Sequence, residues 1–319
     1  MNNRTCQFLI AAVLSALLPV AAQAEFPDKP IRMVIPWKAG GGTDAVGRGL
    51  QPAWEEASGQ KLIIDNIGGA GTVSGTIAAL KAKPDGYTVL MNGSTDVVAP
   101  LAFKPDLPYD IDAFKMVGGF FYSPTWVVAH KDRGYNDLKD LMAAAGKGEI
   151  KLGIAGSGGA QMVMGAAMKG VSGLPITLVP YSGGADLTKA ILGNQIDAGV
   201  IHAPVMLGEA KGGVINVLGA GGPLTALTWE PARAKPTLRD VGIPVDVGVT
   251  RGVFVPKATP DDIVARLSAI LEKATNSEHF KAFGERFGFA PQWIPADQFA
   301  KQVKGEVAAF KDIKTKYIK

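Results

Sequence analysis

The chain has 319 residues, 47 % of them hydrophobic, enough to bury a large core and long enough for about two domains. Its 33 basic and 29 acidic residues give a formal charge of +4, and the basic ones are scattered, which excludes a nucleic-acid footprint and suits a small anionic ligand. The single cysteine, Cys6, lies near the start, so a chain freed of its leader has no disulfide, thiol chemistry or thiolate metal site.

The opening MNNRTCQFLIAAVLSALLPVAAQA combines Arg4, an apolar run over 8–22 and the small-residue pattern Ala22-Gln23-Ala24, which predicts a signal peptide over residues 1–24. A membrane anchor is disfavoured because the run is short and ends at a cleavage pattern. Cys6 precedes the run, so it is not a lipid-accepting cysteine.

Beyond the leader, short β-branched runs alternate with helical patterns and glycine punctuation, which predicts an α/β chain of parallel strands with crossover helices. A strand over 31–37 feeds the loop "KAGGG" and a helix over 43–57, whose regularity Gly47, Gly49 and Pro52 weaken. A strand over 61–66, the loop "IGGAGTVSG", a helix to about 83, the turn "KPDGY" and a strand over 87–91 follow. "KMVGGFFYSPTWVVAH" predicts two strands divided at Ser123-Pro124.

A second series has a helix over 135–145, a strand over 151–155, the loop "GSGGAQ" and a helix to 171. Next come a strand over 176–180, a helix over 185–192, a strand over 195–201, a helix over 205–210 and a strand over 214–218. A Pro- and Gly-rich passage over 219–249 carries no legible element. "GVFVP" then predicts a strand, and "TPDDIVARLSAILEKAT" a helix with Thr259 as N-cap and Pro260 in its first position. Two strand–glycine loop–helix units suggest two lobes facing a cleft, and no short-period repeat supports a solenoid or propeller.

A strand entering a helix through glycines gathers unpaired amides and the positive end of the helix dipole around one point, where an anion is favoured. The first loop is not a P-loop, because Gly42-Thr43-Asp44 stands where Gly-Lys-Ser/Thr is needed and Lys38 precedes the glycines. "GAGTVSG" is one residue too long for a dinucleotide fingerprint, and "GSGGAQ" lacks its last glycine. A carboxylate on bare backbone donors remains, with Thr43 and Ser157 adding hydroxyls from the two loops. The bland alternative is that the glycines only permit tight turns.

"FPDKPIRMVIPWKAGGGTD" resembles the opening of the mature solute-binding proteins of tripartite tricarboxylate transporters. "NIGGAGTVSG", "KPDGYTVLMNGSTD", "LPYDIDAF", "VPYSGGADLTKAILGNQIDAG" and "FVPKATPDDIV" resemble that family's later blocks in the same order. The resemblance implies a periplasmic, two-lobed "Venus flytrap", each lobe a mainly parallel sheet flanked by helices, without enzymatic activity, cofactor or metal. Lobe 1 is expected over 25–124 plus 251–319 and lobe 2 over 125–250. A monomer is expected to capture an organic acid and deliver it to membrane permease subunits.

By the same resemblance Gly41, Gly42 and Thr43 meet the ligand's first carboxylate, Ser157, Gly158 and Gly159 close from the second lobe, and Ser94 and Thr95 form a third pocket edge. Asp44 reads as a helix-start residue, since an acid beside a bound anion would repel it. Trp37, Lys38 and His202 depart from the family pattern. Facing the cleft, they would suit a flat diacid such as terephthalate; otherwise they are a core aromatic, a solvated charge and a strand-end histidine, and aliphatic acids such as citrate or succinate become the alternative. A remote enzymatic alternative pairs Ser157 with His202. It has little support, because only His130, His202 and His279 are present and no G-x-S-x-G elbow occurs.

Overall fold

The computed structural model describes residues 26–317 apart from 105, 157, 158 and 226, so the expected leader and the loop residues Ser157 and Gly158 lie outside the described residues. Strands β1 (Ile31–Ile35), β2 (Leu62–Asn66) and β3 (Thr88–Gly93) are followed by helices α1 (Gly42–Ser58), α2 (Val73–Leu80) and α3 (Ser94–Phe103), respectively. β4 (Phe114–His130) then carries the chain to α4 (Leu138–Ala145), β5 (Ile150–Ala155), α5 (Ala160–Ser172), β6 (Ile176–Tyr181), α6 (Gly184–Leu192), β7 (Ala198–His202), α7 (Leu207–Lys211) and β8 (Ile215–Ala220). α8 (Glu230–Arg233), β9 (Gly248–Pro256), α9 (Asp261–Thr275), α10 (Glu278–Phe287) and α11 (Ala296–Tyr317) complete it. No described helix is long and apolar enough to cross a membrane.

The strands form one mixed sheet in the order β2-β1-β3-β9-β4-β7-β5-β6, with β8 beside β4. The flanking ladders are parallel, β1 with β2 and β3, and β5 with β6 and β7. The expected parallel ladders thus flank an antiparallel centre, where β9 pairs with β3 and β4, and β4 with β7 and β8. β4 and β9 are the two long crossings of the sheet, and they run in opposite directions.

The division expected at Ser123-Pro124 is absent. Ser123 and Pro124 still pair with Val249 and Gly248 of β9, and Thr125 pairs with His202 of β7, so one strand of 17 residues changes partner there. Proline cannot donate to a ladder, and it sits where the ladder changes hands.

Helix α1 continues through Pro52, and its glycines serve packing. A Cβ on Gly49 would lie 2.3 Å from Phe283 of α10, and one on Gly47 would lie 2.6 Å from Ile35 of β1. Trp54, Phe120, Phe121, Phe280 and Phe289 fill the core on that side, with Phe121 stacked on Phe289 at a centroid distance of 3.8 Å.

The expected Thr259 cap is also corrected. Pro260 has extended dihedrals (φ −57°, ψ 144°) and is itself the N-cap of α9, so the helix starts at Asp261, and the buried Thr259 hydroxyl caps nothing. The first-turn Asp261 and Asp262 still meet the positive end of the dipole. Within the passage over 219–249, Leu227, Leu238, Ile243, Val245 and Val247 are buried, so it is a packed cover with little regular structure.

Candidate ligand-binding site

Gly41 ends the first loop as the N-cap of α1 with extended dihedrals (φ −86°, ψ 171°), and no side chain caps the helix. The amides of its first turn are therefore left for another partner. Asp44 does not compete for that role, because its Oδ2 accepts from the Gly40 amide at 2.9 Å and from Arg48 Nε at 3.0 Å. Burial pushes its pKa up, but the bonds from Arg48 and Gly40 outweigh this and hold it below the usual range.

Trp37 stands beside the loop. Its Nε1 donates to Asn92 Oδ1 at 3.0 Å, and its carbonyl accepts from Asn66 Nδ2 at 3.1 Å. The ring faces the β5–α5 loop so closely that a Cβ on Gly156 or Gly159 would lie 3.5 or 3.3 Å from it. Lys38, exposed, reaches across the cleft mouth, and its Nζ donates to Ser182 Oγ at 3.3 Å. The Ser182 hydroxyl in turn donates to Asp186 of α6.

Trp37, Lys38, Gly41, Gly42, Thr43 and His202 are thus brought together around one cleft of about 210 Å³. Ala155, Ile201, Val205 and the Gly183–Asp186 turn supply the opposite wall, with Gln161 beside them. Gly159 lies next to Trp37, whereas Ser157 and Gly158 lie outside the described residues. Ser94 and Thr95 are not brought to this cleft. They are buried at the start of α3, where Ser94 Oγ donates to Glu306 Oε1 of α11 at 3.0 Å and Thr95 Oγ1 donates to the Gly248 carbonyl at 2.6 Å.

Gln161 ends the loop "GSGGAQ" already singled out in the sequence, whereas two charged residues beside the cleft, Asp96 and Arg251, were not legible there. Asp96, in the first turn of α3, accepts through Oδ1 from the Ala160 amide of α5 at 3.1 Å, so the chain's own carboxylate occupies that helix start. Arg251, a charge inside the apolar strand "VTRGVFVP", is 1 % exposed, and its Nη2 donates to Thr43 Oγ1 at 3.1 Å. That lone charge in a buried strand was the one sequence signal available; Asp96 looked like any first-turn acid.

Burial raises the Asp96 pKa, against the opposing pull of Arg251 and of the Ala160 amide. Burial lowers Arg251 to about 10, against the pull of Asp96, which leaves it charged at neutral pH. Burial, and then the Arg251 charge, hold His202 well below the ordinary histidine range, so it is neutral. Its Nδ1 has no hydrogen-bond partner among the described residues. The described residues also hold no group of His, Cys, Asp and Glu side chains suited to a metal ion.

The sequence matches the tripartite tricarboxylate transporter family receptor over residues 46–317. It is 30 % identical over 291 residues to a UPF0065 protein of Bordetella pertussis, covering 89 % of this chain and 88 % of that protein. The solved periplasmic binding protein BugD, 26 % identical, has a TM-score of 0.82 over 91 % of this chain and 98 % of its own. A Rhodopseudomonas palustris protein solved with adipate shares the fold at a TM-score of 0.82 and 22 % identity, over 92 % of this chain and 98 % of that one. With a family match over most of its length and the periplasmic-binding-protein fold, the chain belongs to the receptors of the tripartite tricarboxylate transporter family, which bind solutes and are not enzymes.

Proposed function

We propose that the protein captures an organic carboxylate in the periplasm, an aromatic dicarboxylate such as terephthalate first among the candidates, and delivers it to the membrane permease subunits of a tripartite tricarboxylate transporter. The observation that carries this reading is the convergence of an uncapped helix start, the Trp37 ring and Lys38 on one cleft of about 210 Å³. Amides and dipole suit one carboxylate, the ring suits a flat body, and the cation at the mouth suits a second carboxylate. The periplasmic location draws on the leader pattern over residues 1–24 and on the description of BugD as a periplasmic binding protein.

In this reading the lobes are residues 25–124 with 251–319, and residues 125–250, working as a monomer. The change of partner in β4 between Pro124 and Thr125 supports that boundary. The ligand docks on the α1 loop, and closure brings up the wall formed by Ile201, His202 and Val205, excluding water and strengthening each charge-assisted bond. The adipate held by the Rhodopseudomonas palustris relative favours a second reading, an aliphatic di- or tricarboxylate such as succinate or citrate.

A thermal-shift screen of ligand-stripped protein against terephthalate, adipate, succinate, citrate and nicotinate tests both, because binding to the native state raises Tm by mass action. A shift with terephthalate alone supports the aromatic reading. A shift confined to aliphatic acids overturns it in favour of the second, and no shift with any acid overturns the carboxylate reading itself.

A further inference from the structure

We propose that Arg251 is the cation that recognises the ligand's carboxylate, from beneath the glycine loop, and so sets the preference for an ionised acid over its neutral amide. This deepens the function proposed above and rests on it.

β9 holds Arg251 between Gly93 of β3 and Phe121 of β4, the guanidinium 5.5 Å from the Phe121 ring centroid. One nitrogen is engaged, Nη2 with Thr43 Oγ1, while Nε and Nη1 find no hydrogen-bond partner among the described residues. A buried guanidinium with two donor nitrogens idle is costly unless something completes it. Asp96 acts on it through its charge, but Asp96 Oδ1 is committed to the Ala160 amide and Oδ2 is likewise without a hydrogen-bond partner. His202, whose neutral ring feels the same guanidinium, lines the cleft, and its Nδ1 is a fourth atom without a hydrogen-bond partner among the described residues.

The guanidinium reaches the loop that lines the cleft through its engaged nitrogen, Nη2. A Cβ on Gly42 would be 3.9 Å from Arg251 Nη2, so a bare glycine and the Thr43 side chain separate guanidinium from ligand space. A carboxylate at the start of α1 would have first-turn amides on one side and the Arg251 fork on the other. The planar fork matches two carboxylate oxygens, whereas a primary amide presents an N–H₂ to it and is repelled.

Calorimetry on the wild-type protein and on Arg251→Gln and Arg251→Lys, with terephthalate, adipate and succinate and their monoamides, tests this. The wild type is expected to prefer at least one diacid over its monoamide by more than about tenfold, and R251Q to lose about 10- to 150-fold in diacid affinity, the range of one charged hydrogen bond. R251Q should also lose the preference, which a merely structural role would not produce. R251K, which keeps the charge but not the fork, should fall between them. If R251Q does not fold, R251K and the ¹⁵N–¹H signal of Arg251 Nε in the wild type decide: the signal should move on ligand addition. Wild-type binding with R251Q affinity and preference unchanged, or with R251K unchanged and the Nε signal unmoved, overturns the assignment and leaves the proposed function standing. Failure of the wild type to bind any of the three diacids overturns both.

Discussion

Asp96 and Ala160 lie 64 residues apart, yet the Asp96 carboxylate accepts a hydrogen bond from the Ala160 amide at 3.1 Å. The contact joins the start of α3, which follows β3 on one flank of the sheet, to the start of α5, which follows β5 on the other. A helix start attracts an anion, and here a side chain of the same chain supplies it. Gly159 is part of the arrangement, because a Cβ there would lie 2.6 Å from Asp96 Oδ1.

Replacing Asp96 with alanine should therefore cost about 3–5 kcal/mol, the usual result of removing one member of a buried charge pair, because Arg251 keeps its charge and loses the one opposing charge that acts on it among the described residues. Urea unfolding measures this; a loss below about 1 kcal/mol would show that the contact is incidental.

Gly42→Val should separate binding from folding. Its Cβ would meet Val205 Cγ2 at 2.6 Å across the cleft, so the new side chain fills ligand space. Calorimetry should find carboxylate affinity reduced by more than about tenfold, or about 1.4 kcal/mol, with Tm shifted by only a few degrees. Unchanged affinity would detach the α1 loop from the ligand.

Trp37 offers a test of ligand class. Trp37→Phe keeps an aromatic face and loses the bond to Asn92, whereas Trp37→Ala loses both. For an aromatic diacid the alanine variant should lose about 0.5–1.5 kcal/mol more than the phenylalanine variant, and for succinate the two should match. Equal losses for both ligands would make Trp37 a structural wall only.

The half-buried Glu306 and the buried His202 give stability opposing dependences on pH. Burial raises Glu306 to about 7, and geometry agrees. The one proton of Thr95 goes to the Gly248 carbonyl at 2.6 Å, so the Glu306 Oε2 that lies 3.4 Å from Thr95 Oγ1 is best served by carrying its own. The unfolded chain releases this proton near 4.5 and the folded one near 7, so Glu306 stabilises fully at low pH and that stability is lost as pH rises through about 7. Glu306→Gln should then be more stable than wild type at pH 8, by up to about 3 kcal/mol, and close to it near pH 4.5.

His202 works the other way. Its folded pKa is depressed below 6.5, so the unfolded chain binds the proton first and stability falls as pH drops below that value. His202→Gln should remove that acid-side loss. Urea midpoints of both variants from about pH 5 to pH 8 check the two signs; parallel curves for variant and wild type would contradict either assignment.

The α1 loop was legible because its signals are local: three glycines between a β-branched run and an amphipathic helix state their geometry within a dozen residues. The same local grammar misled at Ser123-Pro124, where pairing with β9 and then β7 outweighs a turn signal, and at Thr259, where the dihedrals of Pro260 move the cap by one residue. Ser94 and Thr95 look like a pocket edge only until α11 is folded against them, since their hydroxyls are then turned to Glu306 and Gly248.

From its sequence alone this protein is an α/β chain with a glycine loop entering a helix start, a geometry that favours an anion, because hydrophobic period, glycine dihedrals and helix dipoles act over a few residues. Only the tertiary structure brings Arg251 under Thr43, Asp96 onto the start of α5, and Trp37 and His202 to one cleft. Those relationships join residues dozens to hundreds of positions apart. Burial in that setting, rather than any local preference, raises the pKa of Asp96 and lowers those of His202 and Arg251.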